Sequence, residues 1–465
     1  MPANADRSVA QAGGVLVQKL DEIGVAVADS TDVNFVARIS ADNRVSDVSE
    51  DVIVQMIPSP ERMGVFALDP LSHGTSQVEP PGSDTQTGSE PYYGFQWDKK
   101  RMRASNQGSY AIQQGRPDVV VAVLDTGADI LPVPHQDIAP SLDFARSRSF
   151  ITTVPGGDPS PAAWDDKNGH GSWCLSAVGA PINALGMSGV APRVRLVALK
   201  VLGDNGSGSY VAISNALIYA GINHFDVASM SLGGYLRHAD QGSHALIKML
   251  QRAVNFARTN GVTPIAALGN DSFDISDGHF MADFVEVPGE IDGVIGVSAT
   301  GYFNLKASYS NYGVGKTDIT APGGDFAVQT TSQTNPLGGG SVLGAWAQEV
   351  FGPNAYAFAS GTSMACPNAA GVCALIISQY GDFTPDNGRK LHMSPQAVES
   401  ILQRTANNQP CPDPNIVNYF TVFAVGTLPA GSQVEAPNQR CQGDGGYNNF
   451  YGKGIVDAFK AVLDH

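Results

Sequence analysis

Ala359-Ser360-Gly361-Thr362-Ser363-Met364-Ala365-Cys366-Pro367 runs into an apolar stretch, Ala369 to Ile377, with helical spacing, which places Ser363 at the head of a helix. A serine hydroxyl is a weak nucleophile by itself, but free N–H groups at a helix N-terminus favour negative charge developing beside it. Pro367 is read as lying in the first turn, where a missing N–H costs little. Gly361 and Ala365 are small enough to let another backbone come close. Alone, the stretch reads more readily as a polar cap on a buried helix, so the rest of the chain must decide.

Three further motifs bear on it. Val121-Ala122-Val123-Leu124-Asp125-Thr126-Gly127 is an apolar strand ending in a carboxylate and a glycine turn. Asn168-Gly169-His170-Gly171-Ser172 leads into a helix-compatible segment, and Ile265-Ala266-Ala267-Leu268-Gly269-Asn270 is a second strand with a polar end. A hydroxyl nucleophile needs a base, a carboxylate to orient that base, and donors for the oxyanion. Ser363, His170, Asp125 and Asn270 supply one of each. Singly, each is also an ordinary turn or loop residue; together, each at an element end beside glycine, they form a constellation.

The elements carrying them predict the fold. Val119–Leu124, Leu196–Leu202, Val227–Met230, Val262–Leu268 and Val294–Val297 are apolar on both faces, as buried parallel strands are. Helical stretches alternate with them, Tyr210–Asn223 and His244–Asn260 among them, the second stopped by Gly261. This pattern calls for an α/β doubly wound parallel sheet, whose strand carboxyl ends are where sites assemble. Asp325 to Tyr356 and Asn407 to Tyr451 read as insertions or surface excursions.

On these residues the chain resembles the subtilisin-like serine proteases, the subtilases. The likeness runs from about Trp97 to Val462. Besides the motifs above, it takes in Gly186-Met187-Ser188-Gly189-Val190-Ala191-Pro192, Lys200-Val201-Leu202-Gly203, Ser231-Leu232-Gly233-Gly234, Ala321-Pro322-Gly323 and Gly361-Thr362-Ser363-Met364-Ala365. It implies a serine endopeptidase working through an acyl-enzyme: Ser363 the nucleophile, His170 the base and then acid, Asp125 its orienting carboxylate, Asn270 the oxyanion donor. It also implies that Ser231, Leu232 and Gly233 form a strand pairing with a peptide or protein substrate. No cofactor is required for the chemistry; structural calcium fits the family, but its ligands are unassigned. Two departures stand out. After His170-Gly171 the family usually continues Thr-His-Val-Ala-Gly, where Ser172-Trp173-Cys174-Leu175-Ser176 stands here, and after Pro367 Asn368 replaces a usual His.

The N-terminal region, with strands at Gly24–Ala28 and Asp51–Gln55 and a helix at Val33–Ile39, reads as a small α+β unit resembling the later part of a subtilase propeptide. Residues 1–57 are therefore expected to be a partial inhibitory unit, 58–90 an exposed linker carrying the maturation cut, and 91–465 the catalytic domain.

Composition sets the remaining bounds. In 465 residues, 28 basic side chains face 44 acidic ones for a net charge of −16, which repels a nucleic-acid backbone. No run reaches the length of a membrane span, and the first residues lack the pattern of a secretory signal. Of five cysteines, Cys411 and Cys441 sit in loop sequence and fit a disulfide in an oxidising, secreted setting, while Cys174, Cys366 and Cys373 read as inert core thiols. A monomer is expected. Two other functions compete: an aspartic protease on Asp125-Thr126-Gly127, for which the second such motif is missing, and a catalytically silent binding module, which would be expected to lose a triad residue.

Overall fold

Seven parallel strands form the frame of the catalytic region: β1 Val120–Asp125, β2 Arg148–Ser149, β3 Arg195–Lys200, β4 Val227–Met230, β5 Thr263–Ala267, β6 Ile295–Thr300 and β7 Ile319–Pro322. They lie in the order β7-β6-β5-β4-β1-β3-β2. The computed structural model describes residues 4–58, 63–68, 86–151, 158–278, 281–325, 340–382, 391–417 and 438–463.

Alternation along the strands splits the core into two layers. In β1, Val121 and Val123 face one layer, and Val120, Ala122 and Leu124 the other. The first layer packs on α1 His170–Gly179 and α4 Thr362–Tyr380, the second on α2 Tyr210–Ile222 and α3 Gln241–Thr259. Ser209 caps α2 by accepting from the Ala212 N–H, and Asp240 caps α3 through Ser243. This is the doubly wound sheet expected. After β3 the chain crosses to the far side of β1 and continues as β4, so the strand order reverses beside Asp125, where an open α/β sheet offers a crevice.

Several expectations change. The edge strands β2 and β7 were not foreseen. Asp325–Tyr356 is no mere surface excursion: Val342–Ala345 is fully buried and pairs antiparallel with Tyr356–Ala359. Nor are residues 63–68 an exposed linker. Phe66–Ala67 adds a third strand to that sheet, Phe66 stacks on Phe358 at 5.0 Å, and Met63 and Leu68 are buried. From the other loop, Phe450 and Tyr451 are buried against Tyr312. Residues 59–62, 69–85, 326–339 and 418–437 of these stretches lie outside the described residues.

In the N-terminal unit, a helix Ala5–Ala12 and a strand Val15–Leu20, neither of them foreseen, join Val25–Asp29 and the helix Phe35–Ser40. Ile53–Gln55 leaves the unit and pairs antiparallel with Ser207–Ser209 of the catalytic region.

Candidate active site

Asp125 is the last residue of β1, and Gly127, at φ 115°, turns the chain so tightly that a side chain there would strike the Trp164 carbonyl. Asp125 Oδ1 accepts from the Thr126 N–H and from His170 Nδ1, both at 2.7 Å, with Asp125 and His170 fully buried. A carboxylate can only accept, so the proton sits on Nδ1 and Nε2 is left basic.

His170 is the first residue of α1, and Asp166 anchors that helix end. Its Oδ1 accepts from the N–H groups of Asn168 (3.0 Å) and Gly169 (2.9 Å) and from Thr126 Oγ1 (2.8 Å); its Oδ2 accepts from Ser172 N–H (2.9 Å) and Oγ (2.7 Å). Thr126 in turn accepts from the Gly171 N–H at 2.8 Å. One buried carboxylate thus ties the turn after Asp125 to the helix carrying His170 and suits the positive helix end. The sequence reading missed it, although Asp166 lies four residues before His170 at an expected helix start.

Ser363 is the second residue of α4. Its hydroxyl donates to the Ser231 carbonyl at 3.2 Å, and Ser231 Oγ donates back to the Ser363 carbonyl at 2.8 Å. Pro367 is not in the first turn but inside the helix, four residues after Ser363. It lacks the N–H that would bond the Ser363 carbonyl, which leaves that carbonyl for Ser231 and for the Cys174 thiol at 3.7 Å. Cys174 Sγ also lies 4.0 Å from His170 Nδ1, so the His170 ring and the Ser363 backbone border one sulfur. His170 Nε2 has no hydrogen-bond partner among the described residues.

Asn270 follows β5. Its Oδ1 accepts from Thr362 N–H (2.8 Å) and Oγ1 (3.0 Å), which orients the amide and leaves Nδ2 without a partner among the described residues. Ser231, Leu232 and Gly233 form not a strand but the connection between β4 and Gly234–Arg237, and the Gly233 N–H donates to the Met56 carbonyl at 3.0 Å. Cys411 and Cys441 are joined in a disulfide, while Cys174, Cys366 and Cys373 are buried and free. Burial pushes all three thiols up, Cys366 to about 11 and Cys174 well above its ordinary value, as inert core thiols require.

The departures from the family pattern have structural partners. Trp173 is fully buried against Gly344, where any side chain would collide with its ring. Asn368 accepts from Lys99 Nζ at 2.6 Å and donates to Asp98 at 3.2 Å and the Pro322 carbonyl at 2.9 Å, in a buried network. Among the described residues, the group of three or more His, Cys, Asp or Glu side chains close enough to share an ion is Asp125, His170 and Cys174, around the buried Asp125–His170 contact.

Residues 116–454 match the Subtilase family model. The M-protease of Shouchella clausii (strain KSM-K16) is 32% identical over 357 residues, covering 74% of this chain and 77% of that protein. Among solved structures, a lanthipeptide protease has 25% identity and a TM-score of 0.59 over 79% of this chain and 93% of its own. The epidermin leader peptide processing protease EpiP of Staphylococcus aureus shares the fold, with a TM-score of 0.71 at 21% identity over 100% of this chain and 96% of its own.

Proposed function

The chain belongs to the subtilase family and is a serine endopeptidase, and on that premise we propose that Ser363, His170, Asp125 and Asn270 perform the chemistry. The carrying observation is the buried 2.7 Å contact from His170 Nδ1 to Asp125, beside a serine at a helix head. With Nδ1–H held by Asp125, Nε2 takes the Ser363 proton as the hydroxyl attacks the scissile carbonyl. The oxyanion forms beside Asn270 Nδ2, and the imidazolium returns its proton to the leaving amine. Water repeats the sequence on the acyl-enzyme. Subtilases need no cofactor for this and often bind structural calcium. The substrates are peptides or proteins.

We further infer that residues 1–57 act as a propeptide-like inhibitor, that maturation cuts within 58–90, and that 91–465 is the catalytic domain of an exported monomer. Three contacts support the inhibitor: Ile53–Gln55 pairs with Ser207–Ser209, the Met56 N–H donates to Gly206, and Gly233 donates to the Met56 carbonyl. An extended segment on such edges stands where a substrate would. The Cys411–Cys441 disulfide supports export.

One experiment tests both readings. Ser363→Ala should lower turnover about a millionfold, a scale set by subtilisin itself and not by this chain, and should abolish labelling by a serine-reactive phosphonate. N-terminal sequencing should find wild type cut within 58–90 and the mutant intact. Appreciable hydrolysis by Ser363→Ala would sink the catalytic assignment; an uncut, fully active wild type would sink the inhibitory one.

A further inference from the structure

Glu286 lies in the strand Phe284–Val287, which pairs antiparallel with Gly234–Arg237, directly after Ser231–Gly233. A carboxylate on a strand would ordinarily face water, yet this side chain is 1% exposed. Two glycines make room for it. A Cβ on Gly233 would collide with Glu286 Oε1, and one on Gly289 would collide with Oε2 and press on the Ala267 carbonyl. The carboxyl group therefore sits between the segment bonded to the nucleophile and the end of β5 that leads to Asn270.

Among the described residues no cation pairs with it. Oε2 accepts from the Gly289 N–H at 3.0 Å, but Oε1 has no hydrogen-bond partner among the described residues. The neighbouring carboxylate Glu290 is paired with Lys316 at 2.6 Å. Burial, Glu290 and Asp271 all push the Glu286 carboxyl well above its ordinary value. On the neighbouring strand, Tyr235, opposite Glu286, donates to Asp271 at 2.7 Å, which fastens this strand pair to the Asn270 loop.

A buried carboxylate without a partner is costly unless something pairs with it. We propose that, when a substrate carbonyl lies between Ser363 and Asn270, the side chain before the scissile bond enters between Ser231–Gly233 and Leu268–Asn270, toward this carboxyl, and that Glu286 thereby determines specificity, selecting peptides with arginine or lysine at the position preceding the cut. The inference rests on the assignment of Ser363 and Asn270 above. The substrate cation supplies the charge that the protein withholds, and an arginine guanidinium can donate to Oε1.

The test uses the processed enzyme and internally quenched peptides that differ only at that position: Arg, Lys, Leu, Phe or Glu. Wild type should prefer Arg and Lys over Leu at least tenfold in kcat/KM. Glu286→Gln should lose about tenfold to a hundredfold on Arg and Lys while staying within about threefold on Leu and Phe. Benzamidine, a small cation, should inhibit wild type competitively and the variant much less. If Glu286→Gln does not fold, the wild-type peptide series and benzamidine decide alone. A wild type that cuts Leu and Phe peptides as well as Arg overturns this inference and leaves the protease reading intact. Failure to cut any peptide overturns both.

Discussion

Ser363 spends its hydroxyl on the Ser231 carbonyl, at 3.2 Å, while His170 Nε2 stands unpartnered among the described residues. On the proposed assignment a turn about one side-chain bond precedes proton transfer, and catalytic hydrogen bonds are commonly made only once substrate is bound. Asn270 is readier. Its Oδ1 is fixed by two bonds from Thr362, so Nδ2 needs little reorganisation when charge develops. Asn270→Ala should therefore lower kcat about a hundredfold to a thousandfold with little change in KM, a range again known from subtilisin. Equal turnover in this mutant would move the donor elsewhere. The four residues proposed to react were legible because each lies at an element end with glycine close by. Glu286 and Asp166 were not. An acid in Phe284–Val287 reads as a solvent-facing residue, and only the bare Gly233 and Gly289 around it reveal the burial.

Among the elements, legibility followed burial. Every residue of β1 is buried, so its apolar run could not be mistaken, and β4 was expected at its observed bounds. β2 is two residues long, and Val342–Ala345 is held by a partner strand rather than by its own pattern. The helix Ala5–Ala12 buries Ala5, Ser8, Val9 and Ala12, a correctly spaced but weakly apolar face. Context did reveal the Cys411–Cys441 pair, whose half-cystine Cys441 shares a small cluster with Tyr312, Phe450 and Tyr451. Closing this 30-residue separation should stabilise the chain by about 3 to 4 kcal/mol in the chain-entropy model. Mass spectrometry without reductant should find both thiols oxidised, and Cys411→Ala with Cys441→Ala should lower Tm. Free thiols in protein from an oxidising compartment, or an unchanged Tm, would contradict this.

For the whole molecule, buried acids set the response to pH. Burial raises Asp129 to about 7 and Asp137 and Asp318 each to about 6. Between about pH 4 and 7 the folded chain then holds more protons than the unfolded one, so their contribution to stability falls as pH rises. Buried His135, lowered to about 4, works the other way: its contribution falls as pH drops from about 6.5 toward 4. The three acids outweigh the histidine between pH 5 and pH 8. Buried Glu286, also pushed up, adds to them, while buried Lys306, pushed well down, opposes them. Tm of the Ser363→Ala protein should therefore fall from pH 5 to pH 8, and adding Asp129→Asn should shrink that fall. An undiminished fall would assign it to other groups. A different consequence follows from residues 63–68, which are built into the sheet with Tyr356–Ala359, while Met56 is bonded to Gly206 and Gly233. On the proposed reading, the inhibitory stretch of an uncut chain is tethered close to its cleft, at an effective concentration on the order of millimolar. A cut between these two stretches leaves the downstream strand in place and converts the upstream one into a separate molecule. From then on it competes only at its own free concentration, so dilution alone becomes an activator.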